Sequence, residues 1–357
     1  MKAVVLRANT VVVVEEMAEP IISSDECLID VCAAGVCSSD VARCFFNGAY
    51  FYPLIMGHEL SGVVSTVGNK VQDILSGDKV TVFPLLPCFS CPACINSRYS
   101  QCHDYRYYGS RNQGGFSERI AVKAWNLLKV PTGVTLADAA LTEPTAVVVH
   151  AIDRLKGLDG FQANSNCELA VIGGGFLGLL TVQILRILHP SIQVTVIDGN
   201  SYKLELAEYA GASIVKLGSD QESRSNLSKL ASRFSWVLEA SGTPEGFRLA
   251  IDMAARSGRV CLMGNISGDL IIPQKEVSSI LRRELTLVGT WNSSYQGKNP
   301  SDWTVSLDLM KRGLRPSRLV SHHINLEGLP STLGALANRE LRQKGRFVKV
   351  MVENHLE

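Results

Sequence analysis

Leu169-Ala170-Val171-Ile172-Gly173-Gly174-Gly175-Phe176-Leu177-Gly178 is the stretch on which the reading of this chain turns. The apolar run Leu169–Ile172 is too short for a helix and ends on glycine, which predicts a buried strand. Gly173, Gly175 and Gly178 then form G-x-G-x-x-G, and Phe176 and Leu177 open an apolar segment of helical length that runs to Leu188. Strand, turn and helix in that order give the glycines separate tasks. Gly173 permits the tight turn, Gly175 lets a pyrophosphate approach the backbone, and Gly178 lets helix and strand pack closely. A second strand-like run, Gln193–Asp198, ends in a carboxylate twenty residues beyond Gly178. A glycine-rich turn with no ligand has no need of that carboxylate; a dinucleotide site does, for the ribose hydroxyls.

Asp198 also selects the cofactor. Its charge suits the hydroxyls of NAD and repels the 2′-phosphate of NADP, by roughly 1 kcal/mol at 4 Å in water and about 4 at an effective dielectric near 20. Gly199 and Asn200 follow, with no arginine beside them. Lys203 is either a ribose contact or a solvated helix residue. The expected cofactor-binding set is Gly173, Gly175, Phe176, Leu177, Gly178, Asp198 and Lys203, and the expected cofactor is NAD.

Towards the C-terminus the alternation continues. Helical segments at Lys203–Ala210, 222–233 and Pro244–Ala255 are interleaved with strands at Ser213–Leu217, Trp236–Glu239, Gly258–Met263 and Leu285–Gly289. Alternating strands and helices predict a parallel sheet covered on both faces, a doubly wound α/β domain of the Rossmann type. Towards the N-terminus, short apolar runs such as Cys27–Cys32, Leu60–Val67 and Lys79–Phe83 are bounded by turn residues, and no helix-period stretch of convincing length stands out. The chain is therefore divided into a β-rich domain at 1–150, a dinucleotide-binding domain at 151–289 and a mixed segment at 290–357.

Bulk properties narrow the function. A chain of 357 residues with 46% apolar and 19% charged residues is globular and large enough for two or three domain-sized units. The net charge of +1, with no basic stripe, argues against nucleic acid as a partner. The apolar stretch Leu169–Leu188 is interrupted by glycines and carries Gln183 and Arg186, so no membrane partner is expected. With no secretory signal at the start, the expected location is cytoplasmic, where thiols stay reduced. Ten cysteines then point to metal or catalysis rather than to disulfides.

Four of those cysteines follow C-x2-C-x2-C-x7-C: Cys88, Cys91, Cys94 and Cys102. Two-residue gaps let thiolates converge on one ion, and four of them close a tetrahedral shell, which is a structural zinc site. An iron–sulfur cluster is the competing reading, but in ferredoxins the fourth cysteine comes sooner and precedes proline; here His103 follows Cys102. A second, dispersed set comprises Cys37 in G-V-C-S-S-D, His58 and Glu59 in G-H-E, and Glu143 in E-P. Cysteine, histidine and carboxylate can hold a catalytic zinc with one position open. Asp40 is a candidate acceptor for the His58 N–H, and Ser39 a candidate proton carrier. From spacing alone, Cys37 as a core residue and His58 as a satisfied polar one compete evenly with that assignment.

G-H-E at Gly57–Glu59, the cysteine lobe and the later G-x-G-x-x-G together resemble the zinc-containing medium-chain dehydrogenase/reductase family, over essentially the whole chain. The runs N-G-A-Y-F-Y-P at Asn47–Pro53, P-L-L-P-C-F-S-C-P-A-C at Pro84–Cys94 and L-R-R-E-L-T-L-V-G-T-W at Leu281–Trp291 resemble its polyol-phosphate branch most. The resemblance implies a GroES-like catalytic domain, a Rossmann domain and a C-terminal return to the first. It implies that Cys37, His58 and Glu143 lie on or near the catalytic zinc, with Glu59 approaching or exchanging as a ligand. Ser39 aligns with a proton-relay hydroxyl, and Arg346 with the basic partner of Glu59. It further implies two zinc ions per chain and a homodimer or homotetramer paired through the Leu285–Gly289 edge. Phe46 departs from the lysine of that branch.

The expected reaction is zinc-assisted, NAD-linked oxidation of a secondary hydroxyl of a polyol, in the phosphorylated case with Arg43 and Arg111 as candidate phosphate ligands. One alternative is an enzyme of unphosphorylated polyols or other secondary alcohols. Another, from a different class, is a non-catalytic NAD-binding protein.

Overall fold

The computed structural model describes residues 1–156, 167–297 and 299–354. The chain forms two compact units, Met1–Ala146 with Ser293–Glu357, and Val147–Asn292.

The second unit is built on a six-stranded sheet in the order Ser213–Lys216, Gln193–Asp198, Glu168–Ile172, Phe234–Glu239, Ala254–Leu262, Thr286–Gly289. Every neighbouring pair is parallel. The helices between them start where side chains can satisfy first-turn N–H groups. Asn200 accepts from Lys203, Asp220 from Ser223 and Thr243 from Gly246. Ala170, Ile172, Phe234, Val237, Phe247, Ile251 and Val260 form one core cluster of this unit. The first strand lies between the second and fourth, so the chain reverses direction across the sheet beside Gly173, the switch point at which such sheets bind nucleotides. The apolar run Leu169–Leu188 is shared between the strand Glu168–Ile172 and the helix Phe176–Leu188. Among the described residues no helix is long and apolar enough to cross a membrane.

The first unit is mostly antiparallel. Its main sheet runs Leu127–Lys129, Lys79–Val82, Glu59–Val67, Glu26–Val36, Val350–Glu353, His322–Ile324, with Arg119–Lys123 also on Glu26–Val36. The last strand of the chain thus lies beside one of the first, pairing Val350 with Val36 and Met351 with Gly35. That register carries the C-terminal segment to the neighbourhood of Cys37.

One helix departs from the expectation that no long helix stands in the first 150 residues. Thr142–Lys156 is a 15-residue α-helix, and the chain passes from the first unit to the second within it. Its run of valines reads locally as strand. Burial of Ala146, Val148, Ile152 and Leu155 at helical spacing outweighs that preference. Glu143 sits in its first turn.

Candidate active site

Cys37 ends the strand Glu26–Val36 and caps the short helix Ser38–Ala42. His58 and Glu59 come where the strand Glu59–Val67 begins, and the sheet register sets Glu59 opposite Gly35. One ligand atom from each of Cys37, His58 and Glu59 lies within 4.8 Å of the other two. Asp40 is fully buried and its Oδ1 stands 3.4 Å from His58 Nδ1, which leaves Nε2 of the ring as the other nitrogen. The Cys37 N–H donates to Asp40 Oδ2 at 3.0 Å. Burial works against charge on both groups, yet each charge outweighs it for the other: Asp40 lies below the ordinary carboxyl value and His58 well above the ordinary imidazole value. A carboxylate on the far nitrogen fixes ring orientation and strengthens the ring as a metal ligand.

Glu59 has a second neighbour. Lys349 Nζ donates to Glu59 Oε1 at 2.7 Å and stands 2.5 Å from Oε2, with both side chains almost wholly buried. Gly35 makes the space: a Cβ there would lie 2.1 Å from Glu59 Oε2 and 3.1 Å from Lys349 Cε. Lys349, not Arg346, is therefore the buried basic partner of Glu59. Arg346 is exposed, in a left-handed turn before the final strand. Glu143 is buried nearby but is not one of the mutually close ligand atoms. The Tyr107 hydroxyl donates to its Oε1 at 3.4 Å, and the Tyr107 ring stands edge-on to His58 at 5.8 Å between centroids. Burial pushes the Glu143 carboxyl up to about 7, against the pull of His58 and with the push of Glu59.

The donor set of thiol, imidazole and carboxylate, with three protein atoms converging, fits a zinc that keeps a position open. The cysteine lobe fits a closed one. All four sulfurs of Cys88, Cys91, Cys94 and Cys102 lie within 4.8 Å of one another, and none is in a disulfide. Zn–S bonds of about 2.3 Å make a tetrahedron with edges of about 3.8 Å; Cys88 and Cys94 sulfurs are 3.9 Å apart. Backbone N–H groups already point at sulfur, from Cys91 to Cys88 and from Cys88 to Cys102, each at 3.3 Å. Ser90, through its hydroxyl and its N–H, and the Cys91 N–H pull the Cys88 thiol down to about 6, while burial pushes Cys94 up to about 12. The lobe rests on aromatics: Trp125 packs against Phe89 and Tyr295 at 4.9 Å each, and the Tyr295 hydroxyl donates to the Trp125 carbonyl at 2.6 Å.

In the second unit, two of the turn glycines sit where a side chain would clash. Gly173 has φ +102°, and a Cβ there would lie 2.8 Å from the Ser241 nitrogen; at Gly178 it would lie 2.1 Å from the Gly173 carbonyl. At Gly175 a Cβ would meet nothing within 4 Å, so the space over that residue is open to a ligand. Asp198 accepts from the N–H groups of Gly174 and Asn200, both at 2.7 Å. Each carboxylate oxygen keeps a lone pair for a hydroxyl. The Lys203 Cβ comes within 3.3 Å of where a Gly174 Cβ would stand, beside Asp198. The first intrahelical bond runs from the Leu179 N–H to the Gly175 carbonyl, which sets Phe176, Leu177 and Gly178 in the first turn.

Residues 23–132 match the alcohol dehydrogenase GroES-like domain, and residues 177–312 match the zinc-binding dehydrogenase domain. The chain belongs to the zinc-binding alcohol dehydrogenase family. The dehydrogenase is 36% identical to galactitol 1-phosphate 5-dehydrogenase of Escherichia coli K12 over 348 residues, 96% of this chain and 99% of that one. The crystal structure of galactitol-1-phosphate dehydrogenase from E. coli superposes with a TM-score of 0.88 at 34% identity, covering 99% and 100% of the two chains. A zinc-binding dehydrogenase of Sinorhizobium meliloti 1021 bound to NADP superposes with a TM-score of 0.85 at 26% identity, covering 99% of each chain.

The remaining expected positions of the dehydrogenase separate. Ser39 is exposed, one residue from Asp40. Arg43 faces Asp40 Oδ1 at 3.6 Å and donates to the Ser39 carbonyl at 3.4 Å. Arg111 lies elsewhere, between the rings of Tyr50 and Tyr105. Lys349, Tyr107 and Glu239 went unrecognised in the sequence. Glu239 is buried at the end of the fourth Rossmann strand and accepts from the Ser241 N–H at 2.8 Å, shaping the loop that meets Gly173. G-R-F-V-K near the C-terminus offered two basic residues; choosing between them needs the strand register.

Proposed function

We propose that the dehydrogenase oxidises a secondary hydroxyl of a polyol phosphate, a hexitol phosphate such as galactitol 1-phosphate, to the corresponding ketose phosphate with NAD as acceptor. The observation that carries the polyol reading is the 36% identity with galactitol 1-phosphate 5-dehydrogenase across 96% of the chain. The convergence of Cys37, His58 and Glu59, with Asp40 behind His58, supports the metal-assisted half of it.

Zinc, when bound, makes a coordinated hydroxyl more acidic, and NAD accepts the hydride. The chain's own residues do the rest. Cys37, His58 and Glu59 hold the metal, with Glu143 beside them as an alternative carboxylate. Asp40 holds the His58 ring through Nδ1. Lys349 balances the Glu59 charge and keeps that carboxylate on the buried side. Ser39, exposed at the edge of the cluster, takes the hydroxyl proton towards solvent. Cys88, Cys91, Cys94 and Cys102 hold a second zinc that shapes the lobe. Asp198 receives the ribose hydroxyls and disfavours a 2′-phosphate, and the first turn of the helix Phe176–Leu188 receives the pyrophosphate. We further assign the enzyme to the cytoplasm as a homodimer or homotetramer.

The test is zinc content with steady-state kinetics on galactitol 1-phosphate, galactitol, sorbitol and simple secondary alcohols, each with NAD and NADP. The expected result is two zinc ions per chain, one for each cluster, with galactitol 1-phosphate and NAD as the preferred pair. A higher kcat/KM on galactitol or sorbitol than on the phosphate would replace the phosphorylated substrate with a free polyol. No turnover by zinc-replete protein on any of them would remove the polyol reading.

A further inference from the structure

Arg111 is held in an unusual way for a surface arginine. Its guanidinium carbon lies 4.2 Å from the centroid of the Tyr50 ring and 4.2 Å from that of Tyr105. One Nη2–H donates to the Tyr50 hydroxyl at 3.0 Å. Nε and Nη1 make no hydrogen bond, and no carboxylate pairs with the side chain, among the described residues. Two rings thus pack against the guanidinium, and its charge meets no carboxylate among the described residues. What remains is the in-plane edge, where a guanidinium binds a phosphate or carboxylate bidentately.

The loops that carry the three residues are tied together. The Ile55 N–H donates to Gln113 Oε1 at 2.6 Å, and Gln113 Nε2 donates to the Pro53 carbonyl at 3.2 Å. Arg106 Nε donates to Asn112 Oδ1 at 2.8 Å, and the Arg111 N–H donates to the Tyr107 carbonyl at 2.9 Å. Arg111 therefore stands one tight turn from Tyr107, whose ring faces His58 and whose hydroxyl reaches Glu143. Tyr105 and Tyr107 are themselves edge to face at 6.3 Å. A row of rings leads from the metal-ligand cluster to a clamped, unpaired cation. Arg43, by contrast, is 15% exposed in its side chain and is spent on Asp40 and the Ser39 carbonyl.

We propose that Arg111, clamped between Tyr50 and Tyr105, is the specificity-determining residue that reads the phosphate of the substrate, and that Arg43 has no part in it. This rests on the polyol-phosphate reading above. A polyol oxidised at one end of its carbon chain and phosphorylated at the other needs a cation set apart from the metal ligands, and Arg111 is such a group on this unit. The two rings hold the guanidinium plane before substrate arrives, so little side-chain freedom is lost on binding.

The experiment is paired kinetics with NAD on galactitol 1-phosphate and galactitol, for wild type, Arg111→Met, Arg111→Lys and Tyr50→Leu, with inorganic phosphate as a competing probe. A charge-assisted hydrogen bond is worth about 1.5–3 kcal/mol, so Arg111→Met should lower the phosphate-over-galactitol preference in kcat/KM by about 10- to 150-fold. The loss should fall mainly on KM. Inorganic phosphate should inhibit wild type and lose its effect on the variant. Arg111→Lys keeps charge without the planar fork and should recover part of the preference. Tyr50→Leu removes one wall, worth about 0.5–1 kcal/mol in an exposed cation–π pair, and should lower the preference by about 2- to 5-fold. Should Arg111→Met not fold, the other two variants carry the test. A wild type that prefers the phosphate, with variants that keep the preference, overturns the Arg111 assignment alone. A wild type with no preference for the phosphate overturns the substrate reading and this assignment with it.

Discussion

Replacing Lys349 by Met should be among the most damaging single changes outside the metal ligands. The substitution keeps length and apolar stem but removes the ammonium that stands 2.5 Å from Glu59 Oε2. The Glu59 side chain is 2% exposed and that of Lys349 6%, so water cannot replace the lost partner. The pair is tightly enclosed, since even a Cβ at Gly35 would lie 2.1 Å from Glu59 Oε2. Removing one member of a buried ion pair costs about 3–5 kcal/mol, because the other charge is left uncompensated. For a unit of about 210 residues, each kcal/mol moves the melting temperature by roughly 2–4 °C, so the unit should melt about 6–20 °C lower. The assay is calorimetry at matched zinc content on wild type, Lys349→Met, Glu59→Gln and the double variant. A neutral amide does not need the cation, so the double variant should melt well above Lys349→Met. Arg346→Met, at an exposed position, should cost less than Lys349→Met. Additive losses in the double variant, or a larger loss at Arg346 than at Lys349, would refute the reasoning.

Cys91→Ser should lower zinc from two ions per chain to one, the count set by the two clusters, and loosen the loop that Trp125 and Phe89 hold; unchanged zinc by elemental analysis with an unchanged melting temperature counts against the structural site. Asp198→Ala removes the carboxylate that faces the ribose position and should raise the NADP/NAD ratio of kcat/KM at least about 5-fold, from a repulsion of roughly 1 kcal/mol or more; an unaltered ratio takes Asp198 out of cofactor choice. The strand Thr286–Gly289 is the edge of its sheet, and Leu287 on it is 40% exposed, a combination that proteins cover. Sedimentation should show a dimer or larger, and Leu287→Lys should shift it towards monomer; a wild-type monomer at every concentration rules out pairing through this edge.

The features legible in the amino-acid sequence by itself are those whose meaning is local. G-x-G-x-x-G between a strand and a helix, an aspartate at the end of the next strand, and four cysteines within fifteen residues each specify a geometry through backbone spacing alone. Cys37, His58 and Glu59 are nameable for the chemistry of their side chains, but their convergence depends on a sheet register that spacing does not encode. Lys349 shows the limit most clearly. It and Arg346 are three residues apart in one short basic segment, and local sequence favours neither. Pairing Val350 with Val36 brings Lys349 onto Glu59, 290 residues away, and leaves Arg346 outside in a turn. A strand alternates faces at every residue, so a shift of one in that pairing would send a different side chain inward. The same holds for the helix Thr142–Lys156, where burial overrides a valine-rich local preference, and for the two arginines. Arg43 and Arg111 are alike as letters, and folding pairs one with a buried aspartate and sets the other between two tyrosine rings. Contacts between residues far apart in the chain are decided by packing, and packing is what turned a set of candidate ligands into a site.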